Sequence, residues 1–99
     1  MLQQFDKKDQ PFVDRAEELL SAMANARRLE IIGHLLDEEL SVNEIVARVN
    51  LSQSALSQHL AKLRLLDLVT TRRERQSIFY SCHSPQVREL YGALQKIFP

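Results

Sequence analysis

A mainly α domain carrying one small β-hairpin is predicted by three observations. Two short helices, each with its own cap, are separated by a tight turn; the second has an outward face of amides and hydroxyls; and an arginine-tipped hairpin follows. Together they describe a winged helix-turn-helix. Ninety-nine residues make one domain, 1–99, large enough for a single core.

The first helix spans about residues 11–24, where Val13, Ala16, Leu19, Leu20 and Met23 fall on one side. Asn25 can cap a second helix that carries Leu29, Ile31, Ile32, Leu35 and Leu36. Ser41-Val-Asn-Glu44 is a capping box: the Ser41 hydroxyl suits the Glu44 amide, and the Glu44 carboxylate can reach back to the Ser41 amide. Leu40 and Ile45 add a hydrophobic staple. The third helix therefore starts at Val42 and buries Ile45, Val46 and Val49 before a turn at Asn50-Leu51.

Ser52 caps the fourth helix, about 52–65, with Leu51 and Leu56 as its staple. Ala55, Leu56, Leu60 and Leu63 line its inner face, while Gln53, Ser54, Ser57, Gln58 and Lys62 point elsewhere. Surface helices usually carry long charged side chains there. Gln and Ser donate and accept at once, which is what reading base edges in a major groove requires. A helix so exposed after so short a turn is a recognition helix.

Downstream the period changes from helix to strand. Leu68–Arg73 and Ser77–Cys82 are rich in β-branched and aromatic residues, with Glu74-Arg-Gln76 as a polar tip, so about 68–82 forms a hairpin without the Asn-Gly signal of the tightest turns. Arg72, Arg73 and Arg75 crowd its end. Such a tip suits the backbone or minor groove of DNA, and equally a merely solubilising surface. Ser84-Pro85 then starts a last helix, about 85–98, whose apolar face holds Val87, Leu90, Tyr91, Leu94, Ile97 and Phe98. Two readings of the terminal helices are open: they complete one monomer's core, or they pair with a symmetry mate.

The formal net charge is zero, but it is unevenly divided. Residues 1–51 carry six basic and ten acidic side chains, a balance of −4, and 52–99 carry seven and three, a balance of +4. Phosphate would thus meet the half holding the recognition helix and wing. There is no apolar run long enough to cross a bilayer, and Met1–Lys8 lacks the order of a signal peptide, so a cytoplasmic protein with no membrane association is expected. One cysteine, Cys82, excludes an intramolecular disulfide framework and suits a reducing compartment.

The runs Leu20–Leu29, Leu51–Arg64 and Arg72–Tyr80 resemble the ArsR family of bacterial winged-helix repressors, in particular its HlyU, NolR and BigR branch. The resemblance spans roughly residues 13–98, and Leu51-Ser-Gln-Ser-Ala-Leu-Ser-Gln-His-Leu60 is its most specific stretch. It implies four helices, a wing and a fifth helix, in a homodimer joined through the first and last helices that binds inverted repeats in double-stranded promoter DNA. Carried onto this sequence, Gln53, Ser54, Ser57 and Gln58 become base readers, with Lys62, Arg72, Arg73 and Arg75 on phosphate or in the minor groove. Leu20, Met23, Leu90, Tyr91, Leu94, Ile97 and Phe98 become the dimer interface.

The inducer sites implied by the family are not met. Where metal-binding members have Cys-x-Cys, this chain has Ser41-Val42-Asn43, which supplies no thiolate. The last helix has no histidine, and His34, His59 and His83 lie on separate elements without ligand-spaced partners, so no metal or other cofactor is expected. The two cysteine positions of the branch's sulfur sensors align with Gly33 and Pro99, and Cys82 sits on the hairpin as a core thiol or a single reactive one. With no phosphate loop and no catalytic set, an enzyme is not expected. The remaining alternative to a DNA-binding repressor is a winged-helix module that pairs with another protein.

Overall fold

The computed structural model describes residues 10–99; the stretch read for a signal peptide lies outside them. The order is α1 (Gln10–Met23), α2 (Ala26–Asp37), β1 (Leu40–Ser41), α3 (Val42–Arg48), α4 (Gln53–Leu65), β2 (Thr70–Glu74), β3 (Ser77–Ser81) and α5 (Pro85–Ile97). The expected helices and hairpin are present. The sheet, however, has three antiparallel strands in the order β1-β3-β2, because Leu40 pairs with Tyr80 and Ser41 with Phe79. Leu40 and Ser41 thus carry a strand in addition to their staple and cap.

Helices α2 to α5 each start where a cap places them. Asn25 accepts from the Arg28 amide at 3.0 Å, Ser52 from Ala55 at 3.1 Å and Ser84 from Val87 at 3.2 Å. The capping box is complete, with the Ser41 amide donating to Glu44 Oε1 at 2.8 Å and the Glu44 amide to Ser41 Oγ at 3.2 Å. That bond to the Ser41 amide holds the Glu44 carboxyl below the usual carboxylate range.

Ile31, Ile32 and Leu35 of α2, Leu40, Ile45 of α3, Leu56, Leu60 and Leu63 of α4, Cys82 and Val87 form one fully buried core. Met23, expected at a dimer interface, is only 3% exposed and belongs to this core. At the C-terminal end of the first helix Ala22 and Met23 turn inward, while Leu20 stays on the surface. Arg28 closes that end: its Nε donates to Ala22 O at 2.6 Å and its Nη2 to Ser21 O at 3.2 Å. Two of the carbonyls a helix terminus leaves unpaired are thereby satisfied.

The end of α4 is a Schellman motif with an unusual residue in it. The Asp67 amide donates to Arg64 O at 3.0 Å and the Leu68 amide to Leu63 O at 2.9 Å, with Asp67 at φ 57° where glycine is customary. Asp67→Gly should therefore raise unfolding stability by about 0.5–1 kcal/mol, the cost of holding a side chain in the left-handed region. Urea denaturation followed by circular dichroism checks it; a fall in stability would show that the aspartate contributes something its backbone does not explain.

Candidate nucleic-acid interface

Three buried leucines fix the rotation of α4: Leu56, Leu60 and Leu63 face the core, which leaves Gln53, Ser54, Ser57, Gln58, Ala61, Lys62, Arg64 and Leu65 exposed. Ser57 and Gln58 each lie three or four positions from Ser54 and from Ala61, and Leu65 follows Ala61 by four, so these residues form a single outward stripe. Its polar members are short hydroxyls and an amide. Ser57, Ala61 and Arg64 border the wing side, sharing a hollow with Val42 and Tyr80. On the opposite edge Lys62 lines a hollow together with Asp14, Glu17 and Glu18 of α1.

α4 is also tied to the rest of the body by a polar bridge. Arg28 Nη1 lies 3.4 Å from His59 Nδ1, which joins the same guanidinium that closes α1 to the back of α4. His59 is thus a partnered structural residue. Among the described residues no group of His, Cys, Asp and Glu could hold a metal ion.

The wing is tighter than its sequence suggests. Glu74 pairs with Ser77, so only Arg75 and Gln76 make the turn, and Arg75 takes φ 58°. A left-handed first turn residue matches the twist of a two-residue hairpin, a task for which glycine or asparagine is usual. Arg75 is thereby placed at the extreme tip. Arg73, opposite Ile78, is exposed. Arg72 differs from both: it bonds Glu39 and Glu74 and stacks over Phe79, with its guanidinium carbon 4.8 Å from the ring centroid. Glu39, 33 positions away, and the exposed Arg64 were not found from the sequence; no local pattern marks either.

The interface expected along α1 and α5 is partly exposed surface. Phe12 and Leu20 are 67% and 54% exposed, and Ile97 and Phe98 are 63% and 74% exposed. Leu90 and Tyr91 pack against the core from its edge, and Leu94 is half-buried. Tyr91 also fills the space above Gly33, where a Cβ would meet its hydroxyl.

A capped helix pair whose second member presents donors and acceptors, with a cationic hairpin beside it, is the winged helix-turn-helix of a transcriptional regulator. The comparisons agree. Residues 25–71 match the bacterial regulatory protein, arsR family. The transcriptional activator HlyU of Vibrio cholerae is 52% identical over 84 residues, 85% of this chain and 78% of that protein. Among solved structures, NolR from Sinorhizobium fredii has a TM-score of 0.91 at 45% identity, covering 98% of this chain and 97% of that one. The transcriptional repressor BigR from Xylella fastidiosa has 0.85 at 30%, covering 96% and 98%. The homodimeric winged helix-turn-helix DNA-binding domain Mb0332 from Mycobacterium bovis has 0.79 at 28%, covering 98% and 89%. The chain belongs to the arsR family of bacterial regulatory proteins; it is a transcriptional regulator and not an enzyme.

Burial pushes the Cys82 thiol up from its ordinary value, against smaller opposing effects of the Ser84 amide and the Arg88 charge. With 1% of its surface exposed and little thiolate at neutral pH, it should not react with a disulfide reagent in the folded protein. The measurement is the rate of thiol release with and without denaturant. Fast labelling of the native state would mark the wing as a site of modification.

Proposed function

We propose that the chain is a cytoplasmic homodimeric repressor in which the α4 helices of two copies read an inverted repeat in double-stranded promoter DNA. The observation that carries this is the uncharged, bifunctional stripe Ser54, Ser57 and Gln58 with Gln53 at its edge, aimed away from a core that fixes its rotation. A solvated helix face has no need of such side chains, and base edges do. Exposed Arg73 and Arg75 supply phosphate or minor-groove contacts beside it. The half-sites then lie about one helical turn apart, ~34–36 Å.

Dimerisation through α1 and α5 accounts for the exposed Phe12, Leu20, Ile97 and Phe98, which isolated would be an apolar patch in water. The homodimeric Mb0332 domain supports a dimer, and the similarity to the transcriptional repressor BigR supports repression. Among the described residues no helix is long and apolar enough to cross a membrane. No cofactor enters the proposal.

Leu20→Glu and Ile97→Glu, both on exposed side chains, should each leave the monomer folded and abolish dimer and DNA binding together. Sedimentation velocity and fluorescence anisotropy on a duplex from the chain's own upstream promoter read the two losses. A wild-type monomer at micromolar concentration that still binds DNA would refute the assembly.

Gln58→Ala should reduce discrimination between target and scrambled duplex by ~1–3 kcal/mol, one good base contact. Arg75→Gly should behave oppositely: affinity falls alike for all sequences, the salt slope drops by about one, and unfolding stability rises through relief of the left-handed turn residue. If Arg75→Gly alters only sequence preference, the roles of helix and wing are reversed.

A further inference from the structure

Arg72, one of the three arginines at the end of the hairpin, is engaged by other side chains of the protein while half of its own side chain stays exposed. Its Nε donates to Glu39 Oε1 at 3.1 Å and its Nη2 to the same oxygen at 2.7 Å, while Nη1 donates to Glu74 Oε2 at 2.9 Å. One face of the guanidinium is covered by Phe79. One cation here faces two carboxylates, so the cluster itself offers an approaching phosphate no surplus positive charge. Three of the five N–H donors of Arg72 are engaged, and an approaching phosphate meets a guanidinium whose charge two carboxylates already offset.

The direction of the contact tells what it does. Ser41, Phe79 and Arg72 stand in one row across the sheet, on β1, β3 and β2. Arg72 reaches along this row, over the Phe79 ring, to Glu39, the residue that enters β1. Glu39 in turn stands two positions before Ser41, the cap of α3. The bond therefore braces the outer strand of the wing against the root of the helix-turn-helix, across 33 positions of chain. Local pairing within β2 would be met by Glu74 alone.

We propose that Arg72 is a positioning residue for the wing and not a phosphate ligand: gripped by Glu39 and stacked on Phe79, it sets the angle at which Arg73 and Arg75 are presented to DNA. This rests on the DNA-binding reading given above. The brace depends on a planar fork, since only a guanidinium can meet one carboxylate through two nitrogens, reach a second, and lie flat on a ring. An ammonium keeps the charge and loses all of that geometry.

The test uses the full dimeric chain and a duplex selected by the wild-type protein from a random pool, with affinity measured by anisotropy over a range of salt. Glu39→Gln, Arg72→Ala and Arg72→Lys should each weaken binding about three- to tenfold with the salt slope unchanged, and Glu39→Gln combined with Arg72→Ala should be no worse than either alone. Arg73→Ala, the comparison, should lower the slope by about 0.9. The proposal is overturned if Glu39→Gln binds as tightly as wild type, or more tightly with a steeper slope. It is also overturned if Arg72→Lys keeps full affinity while Arg72→Ala loses slope, because that is the behaviour of a phosphate contact. A wild-type protein that selects no duplex overturns the DNA-binding reading itself. Thermal unfolding of each variant, expected within a few degrees of wild type, separates a moved wing from a damaged fold, and the Arg72 Nε–H resonance, slow to exchange in wild type and fast in Glu39→Gln, reports the brace without DNA.

Discussion

The pairing of two residues, Leu40 and Ser41, with β3 is the constraint on which the rest of the molecule depends. A two-stranded hairpin alone is marginal in water and free to swing. Once Leu40 pairs with Tyr80 and Ser41 with Phe79, the wing becomes part of a three-stranded sheet, and the strand that anchors it is also the N-terminus of α3. Leu40 is fully buried in the core, and Ser41 spends its side chain on the cap and its backbone on the sheet. Wing and helix pair are therefore oriented by one short segment. The Arg72–Glu39 contact lies directly beside it and can act as a brace only because the pairing has already brought β2 within reach.

The division of charge along the chain says which half meets phosphate but not which cations are free to do so. Of the seven basic residues between 52 and 99, Arg72 is held by two carboxylates and Arg88 donates to Leu36 O at 2.6 Å at the end of α2. Lys62 lines a hollow together with Asp14, Glu17 and Glu18 of α1. Arg73 and Arg75 of the wing and Arg64 of α4 remain as exposed cations near the polar stripe. On the proposed reading, a surface so sparing in free charge would bind DNA weakly without the right bases and leave selectivity to the amides and hydroxyls of α4.

Much of this was legible because it is local. Caps, staples and apolar faces act within a turn of helix, and Asn25, Ser41, Ser52 and Ser84 all cap where their sequence context puts them. What escaped reading was decided at a distance or against propensity. A two-residue strand has no period to detect, so β1 was invisible beneath its own capping box. Asp67 and Arg75 adopt left-handed backbone that their residue types disfavour, because the chain on both sides is already fixed by α4 and by the β2–β3 register. Met23 shares a helical side with Leu20, yet the close approach of α2 buries one and leaves the other exposed. Glu39 carries no signal at all until folding brings it to Arg72.

α2 links the surfaces assigned to dimerisation and to reading. At its first turn Arg28 holds the last carbonyls of α1 and reaches His59 on the back of α4. At its last turn Leu36 O accepts from Arg88 of α5, and Leu35 O accepts from the Cys82 amide at 3.0 Å, where β3 runs on toward α5. Midway, the Tyr91 hydroxyl of α5 rests in the space that only a glycine at position 33 leaves open. Any larger residue there would displace the Tyr91 ring. One helix thus carries α1 and α4 at one end and α5 and the wing at the other, with buried Ile31, Ile32 and Leu35 fixing it in the core between them. A shift of either terminal helix must be transmitted through α2 or absorbed as strain in it, since close-packed interiors deform in steps and not smoothly. In the proposed dimer, the separation of the two recognition helices would be set by the same contacts that keep a single chain folded.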